Sequence, residues 1–285
     1  MNRIFLTALV ALFAIGKAVA ADFATEVMVA TFKLSVHSGA ATCFLVRRKP
    51  PDQACYLVTA AHVMEEVKEQ TAVLVLRAPK PDGTYERHDY TITIRSGDKP
   101  LWVRNKTEDV AVLRLTEPLP VPVTVLPESV LADEIQFQRS RVHICSPLFV
   151  LTYPAQLEAN EAGFPIARSG IFASPPLVLM PDSISLLSKS TNSPGPATFL
   201  ADFTTFSGDS GGPVFIKTAG GHALIVGIVL GRGFQDLKHE DEYGEQVARY
   251  PLGLGIILRA QCVRDTLDAA AKFDVPASKP PAKSP

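Results

Sequence analysis

Apolar residues recur along this chain in short bursts separated by glycine, proline or charge. In the first half the bursts run from Phe32 to Val36, Thr42 to Val46, Tyr56 to Ala60, Ala72 to Arg77, Tyr90 to Arg95 and Val110 to Leu115. Their length and β-branched content predict strands. The one helical hint follows His62, where Val63 to Glu69 keeps apolar and acidic residues at helix spacing. Pro118 to Pro127 then reads as a connection, because its prolines lack the N–H that a central sheet needs. The second half repeats the theme at Arg141 to Cys145, Ser169 to Ala173, Leu177 to Met180, Thr198 to Ala201, Pro213 to Ile216, Ala223 to Leu230 and Leu254 to Leu258, with a Ser/Pro/Gly/Asn loop from Ser188 to Pro196. Arg259 to Lys272 carries Cys262, Val263, Thr266, Leu267 and Ala270 at helix spacing and predicts a terminal helix. Two sets of about six strands predict an all-β protein of two small antiparallel barrels, over residues 21–125 and 126–272. No βαβ alternation supports a parallel sheet.

The ends break this pattern. Asn2-Arg3 gives a positive start, Ile4 to Ile15 is almost wholly apolar, and Ala18-Val-Ala20 has the small-x-small form of a signal-peptidase site. Residues 1–20 therefore read as a secretory signal; the other reading, a membrane anchor, has fewer apolar residues than the ~20 that cross a bilayer. The expectation is an exported protein, periplasmic or secreted, with no stable membrane insertion. Residues 273–285, mostly Pro, Ala, Ser and Lys, are too poor in apolar surface to order themselves.

Composition narrows the function further. Over 285 residues, 47% are hydrophobic and 20% charged, so a substantial core is expected. A net charge of −1 leaves no basic surplus for a phosphate backbone, which excludes nucleic acid as the expected partner. The four cysteines of an exported chain invite disulfides. A hairpin centred near residue 49 would set Cys43 opposite Cys55, leaving Cys145 and Cys262 to pair or stay free.

The candidate chemistry lies in Phe206-Ser-Gly-Asp-Ser-Gly-Gly-Pro213. Glycines around Ser210 permit left-handed backbone and close approach to a ligand, so this stretch can present a hydroxyl and bare N–H groups together. A serine hydroxyl needs an imidazole to take its proton, and the imidazole needs a carboxylate to orient it. Leu57-Val-Thr-Ala-Ala-His62 and Glu108-Asp-Val-Ala-Val-Leu-Arg-Leu115 supply these as His62 and Asp109. The remaining histidines, His37, His88, His143, His222 and His239, follow no ligand spacing, and His239-Glu-Asp-Glu242 reads as a solvated loop, so neither metal nor cofactor is expected.

Thr-Ala-Ala-His62, Asp109-Val-Ala-Val-Leu and Gly208-Asp-Ser-Gly-Gly-Pro213, in that order, resemble the three signature blocks of trypsin/chymotrypsin-like serine proteases. Leu224 to Gly231 and the final strand and helix extend the likeness to roughly residues 35–270. The resemblance implies two six-stranded antiparallel Greek-key barrels and a monomeric endopeptidase acting on protein or peptide. Ser210 would be the nucleophile, His62 the general base, Asp109 its orienting acid, and the N–H groups of Gly208 and Ser210 the oxyanion hole. It also places Thr204 near the floor of the primary pocket, with Ser207, Leu230, Gly231 and Gly253 lining it. No acid stands at that floor, which speaks against a demand for Arg or Lys and favours small or apolar side chains.

Several positions depart from the digestive members. Val63 replaces a cysteine, and no Arg/Lys-Ile-Val-Gly-Gly activation site precedes the first strand. Asp209 therefore needs a partner other than a freshly cut N-terminus. Leu230 stands where a serine would support the triad acid. These features, with Ala167 to Ser174, look more like the bacterial exported branch. Two other readings remain: an inactive or chaperone-like peptide-binding module on the same fold, and an α/β-hydrolase esterase, since Gly208 to Gly212 also fits Gly-x-Ser-x-Gly. The esterase requires a helix after the serine and triad partners downstream of it.

Overall fold

The apolar bursts pair as strands in a computed structural model, which describes residues 22–36, 39–50, 52, 54–140, 143–174, 197–241 and 244–273. The proposed signal, the strand expected at Leu177 to Met180, the Ser188 to Pro196 loop and nearly all of the tail lie outside the described residues.

The first half opens with a short helix, α1 (Phe23–Val29), followed by β1 (Thr31–Val36), β2 (Gly39–Arg47) and β3 (Cys55–Thr59). Helix α2 (Ala61–Glu66) then leads to β4 (Thr71–Pro79) and β5 (Tyr85–Thr93), the two-residue pair β6 (Arg95–Ser96) and β7 (Lys99–Pro100), and β8 (Trp102–Arg104) and β9 (Ala111–Leu115). The strands run β5-β4-β1-β2-β3-β9-β8, antiparallel throughout, so the ends of β3 and β9 lie side by side. The connection expected to stay clear of the sheet rejoins it: β10 (Leu126–Pro127) lies parallel to β2 at Val46 and Arg47. Only two residues are involved, and the pairing falls where β2 has run beyond the end of β1.

The second half follows a 3-10 turn at Glu128–Val130 and helix α3 (Glu134–Arg139). Its strands are β11 (Pro147–Thr152), β12 (Ile166–Phe172), β13 (Thr198–Asp202), β14 (Pro213–Lys217), β15 (Ala223–Asp241) and β16 (Gly244–Arg259). They close in the order β11-β12-β13-β16-β15-β14. Because β14 returns beside β11, the first of three consecutive neighbours, this barrel is a Greek key. The terminal helix α4 (Ala260–Ala270) buries Cys262, Val263, Thr266, Leu267 and Ala270 and packs across both halves, against β8, β9 and β15. One apolar core runs through the two halves.

Three expectations need correction. The strand expected at Arg141 to Cys145 begins later, at Pro147; Ile144 and Cys145 form a turn with Cys145 at φ +70°. The strands at Ala223 and Leu254 are far longer than their apolar cores, because they continue as a paired ribbon through polar sequence. The Cys43–Cys55 and Cys145–Cys262 disulfides are not formed, and all four cysteines are free. The hairpin register explains the first: Phe44 pairs with Val58 and Cys55 with Arg47, which centres the turn near residue 51. Cys43 and Cys55 are therefore four positions out of register, about 13 Å along a strand and beyond disulfide reach. Cys145 is exposed on its turn while Cys262 is buried in α4.

Candidate active site

His62 owes its position to the end of a buried strand. Residues Tyr56 to Ala60 are fully buried, Ala60 is still extended, and α2 starts at Ala61, so His62 stands in the first helical turn with its backbone N–H free of the helix ladder. That N–H donates to Asp109 Oδ1 at 2.9 Å, while His62 Nδ1 lies 2.7 Å from Asp109 Oδ2. The carboxylate thus grips the histidine by backbone and ring together. Asp109 is delivered by a turn in which Asn105 Oδ1 accepts from the Thr107 and Glu108 N–H groups, just before β9.

Electrostatics reinforce this geometry. Burial would raise the Asp109 carboxyl, but the hydrogen bonds and charge of His62, with the nearby Arg104, hold it below its usual range. An ionised carboxylate can only accept, so His62 Nδ1 carries the proton and Nε2 is left as the acceptor. Burial pulls the imidazole down, yet the Asp109 hydrogen bond and the charges of Asp109, Glu66 and Glu65 outweigh it and raise its pKa. The absence of a serine at position 230 leaves no gap, since the His62 backbone N–H supports Asp109.

The serine loop fits against the strand that carries His62. A side chain at Gly211, where φ is +84°, would meet Thr59 Oγ1 at 2.3 Å and Ala60 N at 2.9 Å. At Gly208, with φ +96°, it would meet the Tyr153 carbonyl at 2.2 Å. Ser210 Oγ donates to the Leu230 carbonyl at 3.2 Å, and among the described residues no hydrogen bond joins it to His62. The Gly208 and Ser210 N–H groups likewise have no hydrogen-bond acceptor among the described residues, whereas Asp209, Gly211 and Gly212 donate to Phe206, Val229 and Asp209.

Asp209, 1% exposed, is met by Arg168 of β12: Nη2 lies 2.7 Å from Oδ2, the same oxygen that accepts from the Phe206 N–H at 2.7 Å. Arg168 also donates to the Thr204 carbonyl at 2.6 Å and to Thr152 Oγ1 at 2.8 Å, with its guanidinium near the faces of Phe203 and Phe206. Sequence reading noted the stretch from Ala167 to Ser174 but missed this role. The available signal was a missing counter-ion for Asp209.

The expected pocket residues are partly brought together. Thr204 Oγ1 lies about van der Waals distance, 4.0 Å, from where a Gly253 side chain would begin. Thr205 Oγ1 donates to the Gly231 carbonyl at 3.2 Å, joining the serine loop to the strand that holds Leu230. Ser207 is exposed beside them. Arg232, outside the expected set, donates to the Thr205 carbonyl at 3.3 Å, so this side of the serine loop carries a cation.

The trypsin-like peptidase domain profile matches residues 41–228. Among solved structures, the chain is similar to the Rv3671c protease in an inactive form, at 18% identity and a TM-score of 0.48, covering 86% of this chain and 90% of that one. It is also similar to an inactive serine-to-alanine mutant of Rv3671c from M. tuberculosis, at 19% identity and a TM-score of 0.48, covering 90% and 91%. No curated protein matches it.

Proposed function

Since the chain belongs to the trypsin-like peptidase domain family, we propose that it is a serine endopeptidase working through Ser210, His62 and Asp109. The observation that carries this reading is the two-point hold of Asp109 on His62, which leaves Nε2 as a base beside the serine loop. The Ser210 hydroxyl leaves the Leu230 carbonyl and turns to His62 Nε2; giving up a neutral hydrogen bond costs about 1 kcal/mol. Nε2 takes the proton as Oγ attacks the peptide carbonyl, and the oxyanion is received by the Gly208 and Ser210 N–H groups. The imidazolium then protonates the departing amine, and an acyl-enzyme forms. Water, deprotonated by the same imidazole, releases the acid and restores Ser210.

The Arg168–Asp209 pair supports a loop that needs no proteolytic activation, because the counter-ion is part of the chain. The apolar leader favours action outside the cytoplasm, and the peptidase domain favours protein or peptide as the substrate. Among the described residues no helix is long and apolar enough to cross a membrane. With Arg232 beside the serine loop and Asp209 occupied, small or apolar side chains before the scissile bond are favoured over Arg and Lys. Hydrolysis of a peptide mixture by protein lacking residues 1–20, with the products sequenced, tests these points together. That protein should cleave with no further trimming, and Ser210→Ala should lose about 10⁴-fold or more in rate. Undiminished cleavage by Ser210→Ala, or dominant cleavage after Arg, would contradict the mechanism or the specificity respectively.

A further inference from the structure

The loop that presents Ser210 is fastened from the opposite half of the molecule by one residue outside the triad. Thr42, in β2, is fully buried and engages all of its polar groups. Its backbone N–H donates to the Ser210 carbonyl at 3.0 Å, and its hydroxyl donates to the Gly208 carbonyl at 2.7 Å. The same oxygen accepts from the Tyr153 N–H at 3.2 Å, while the Thr42 carbonyl accepts from Thr59 Oγ1 at 2.8 Å.

From this arrangement we propose that Thr42 is a positioning residue for the oxyanion site, an inference that rests on the serine-peptidase reading above. Three successive carbonyls of the loop are used inside the protein: Gly208 by the Thr42 hydroxyl, Asp209 by the Gly212 N–H at 3.0 Å, and Ser210 by the Thr42 N–H. With those peptide planes fixed, the Gly208 and Ser210 N–H groups keep no acceptor among the described residues and stay available to a developing oxyanion. The hydroxyl also anchors the surface on which Gly208 rests. Gly208 packs against the Tyr153 carbonyl, at the head of a turn that holds Ala155 at φ 50° and Gln156 at φ 65°. Left-handed backbone at two adjacent non-glycine residues persists only where neighbours over-determine it. The Thr42–Tyr153 hydrogen bond supplies one such restraint, and Arg77, which donates to the Tyr153 hydroxyl at 3.2 Å, supplies another.

Valine in place of Thr42 keeps the shape and the backbone N–H but leaves the Gly208 carbonyl and the Tyr153 N–H unpaired. Serine keeps the hydroxyl. Steady-state hydrolysis of one peptide substrate, alongside labelling by a fluorophosphonate, separates the two cases. Thr42→Val should lower kcat about 10- to 100-fold with KM within about twofold, whereas Thr42→Ser should keep kcat within about threefold. A peptidyl boronate, which reproduces the tetrahedral state, should lose affinity for Thr42→Val by the same factor as kcat/KM; a cleaved product peptide should not. If Thr42→Val fails to fold, Thr42→Cys, whose thiol is a poor donor, carries the same comparison with Thr42→Ser. The inference falls if the folded valine or cysteine variant turns over within twofold of wild type, or if the serine variant loses as much as either. A wild-type protein inert to the fluorophosphonate would instead bring down the peptidase reading on which the inference stands.

Discussion

His62 and Asp109 are legible in the sequence because each stands at the end of an apolar strand, where buried backbone fixes a side chain in place. Arg168 is not, because nothing in its own neighbourhood announces a buried partner on the serine loop. Its weight can be judged from what its removal leaves: Asp209, 1% exposed, with Oδ1 already lacking a hydrogen bond among the described residues. Breaking a buried pair by deleting one partner costs about 3–5 kcal/mol. Arg168→Met should therefore destabilise the protein by that order in urea unfolding, and Asp209→Asn in the same background should recover part of the loss. A cost below about 1 kcal/mol would show that the pair is not structural. The titration of His62 makes a second test. A base must be neutral to accept a proton, and the Asp109 hydrogen bond and charge raise the imidazole above its ordinary value of about 6.5 against the opposing pull of burial. Activity should fall as pH drops, with the midpoint of kcat/KM above 6.5; a midpoint below it would contradict the electrostatic account.

Element by element, existence was easier to read than extent or register. The strands of the first half are found where the apolar bursts stand, since those residues supply its part of the core. The ribbon formed by β15 and β16 runs past the strand end expected at Leu230 and through His239, expected in a solvated loop, because the sequence from Gln235 to Arg249 is mostly polar and carries no apolar alternation. The β2–β3 hairpin was placed two residues too early because Arg47 to Gln53 offers several equivalent turn residues and only pairing fixes the centre. This register has a direct chemical consequence. Thiol titration in denaturant without reductant, with the alkylated residues mapped, should find four free thiols, Cys43 and Cys55 among them; a bridge between those two would contradict this register.

For the molecule as a whole, an all-β plan with a closed six-stranded barrel and a terminal helix was legible, but not what joins the two halves. Phe23 of α1 stacks edge-on against Phe149 and Phe215 of the second half, while α4 crosses back onto β8 and β9 of the first. Between them Arg77, 2% exposed, lies between the rings of Phe32 and Phe164 and donates to the carbonyls of Val29 and Thr31 on one side and Gly163 on the other. These ties matter to function because His62 and Asp109 come from one half and Ser210 from the other. The most direct measurement is therefore the mapping of a fluorophosphonate adduct by tandem mass spectrometry on protein lacking residues 1–20. The account predicts one adduct, on Ser210 and on no other serine, formed without proteolytic trimming and lost in His62→Ala. An adduct elsewhere, or labelling of Ser210 that persists at the wild-type rate without His62, would contradict it.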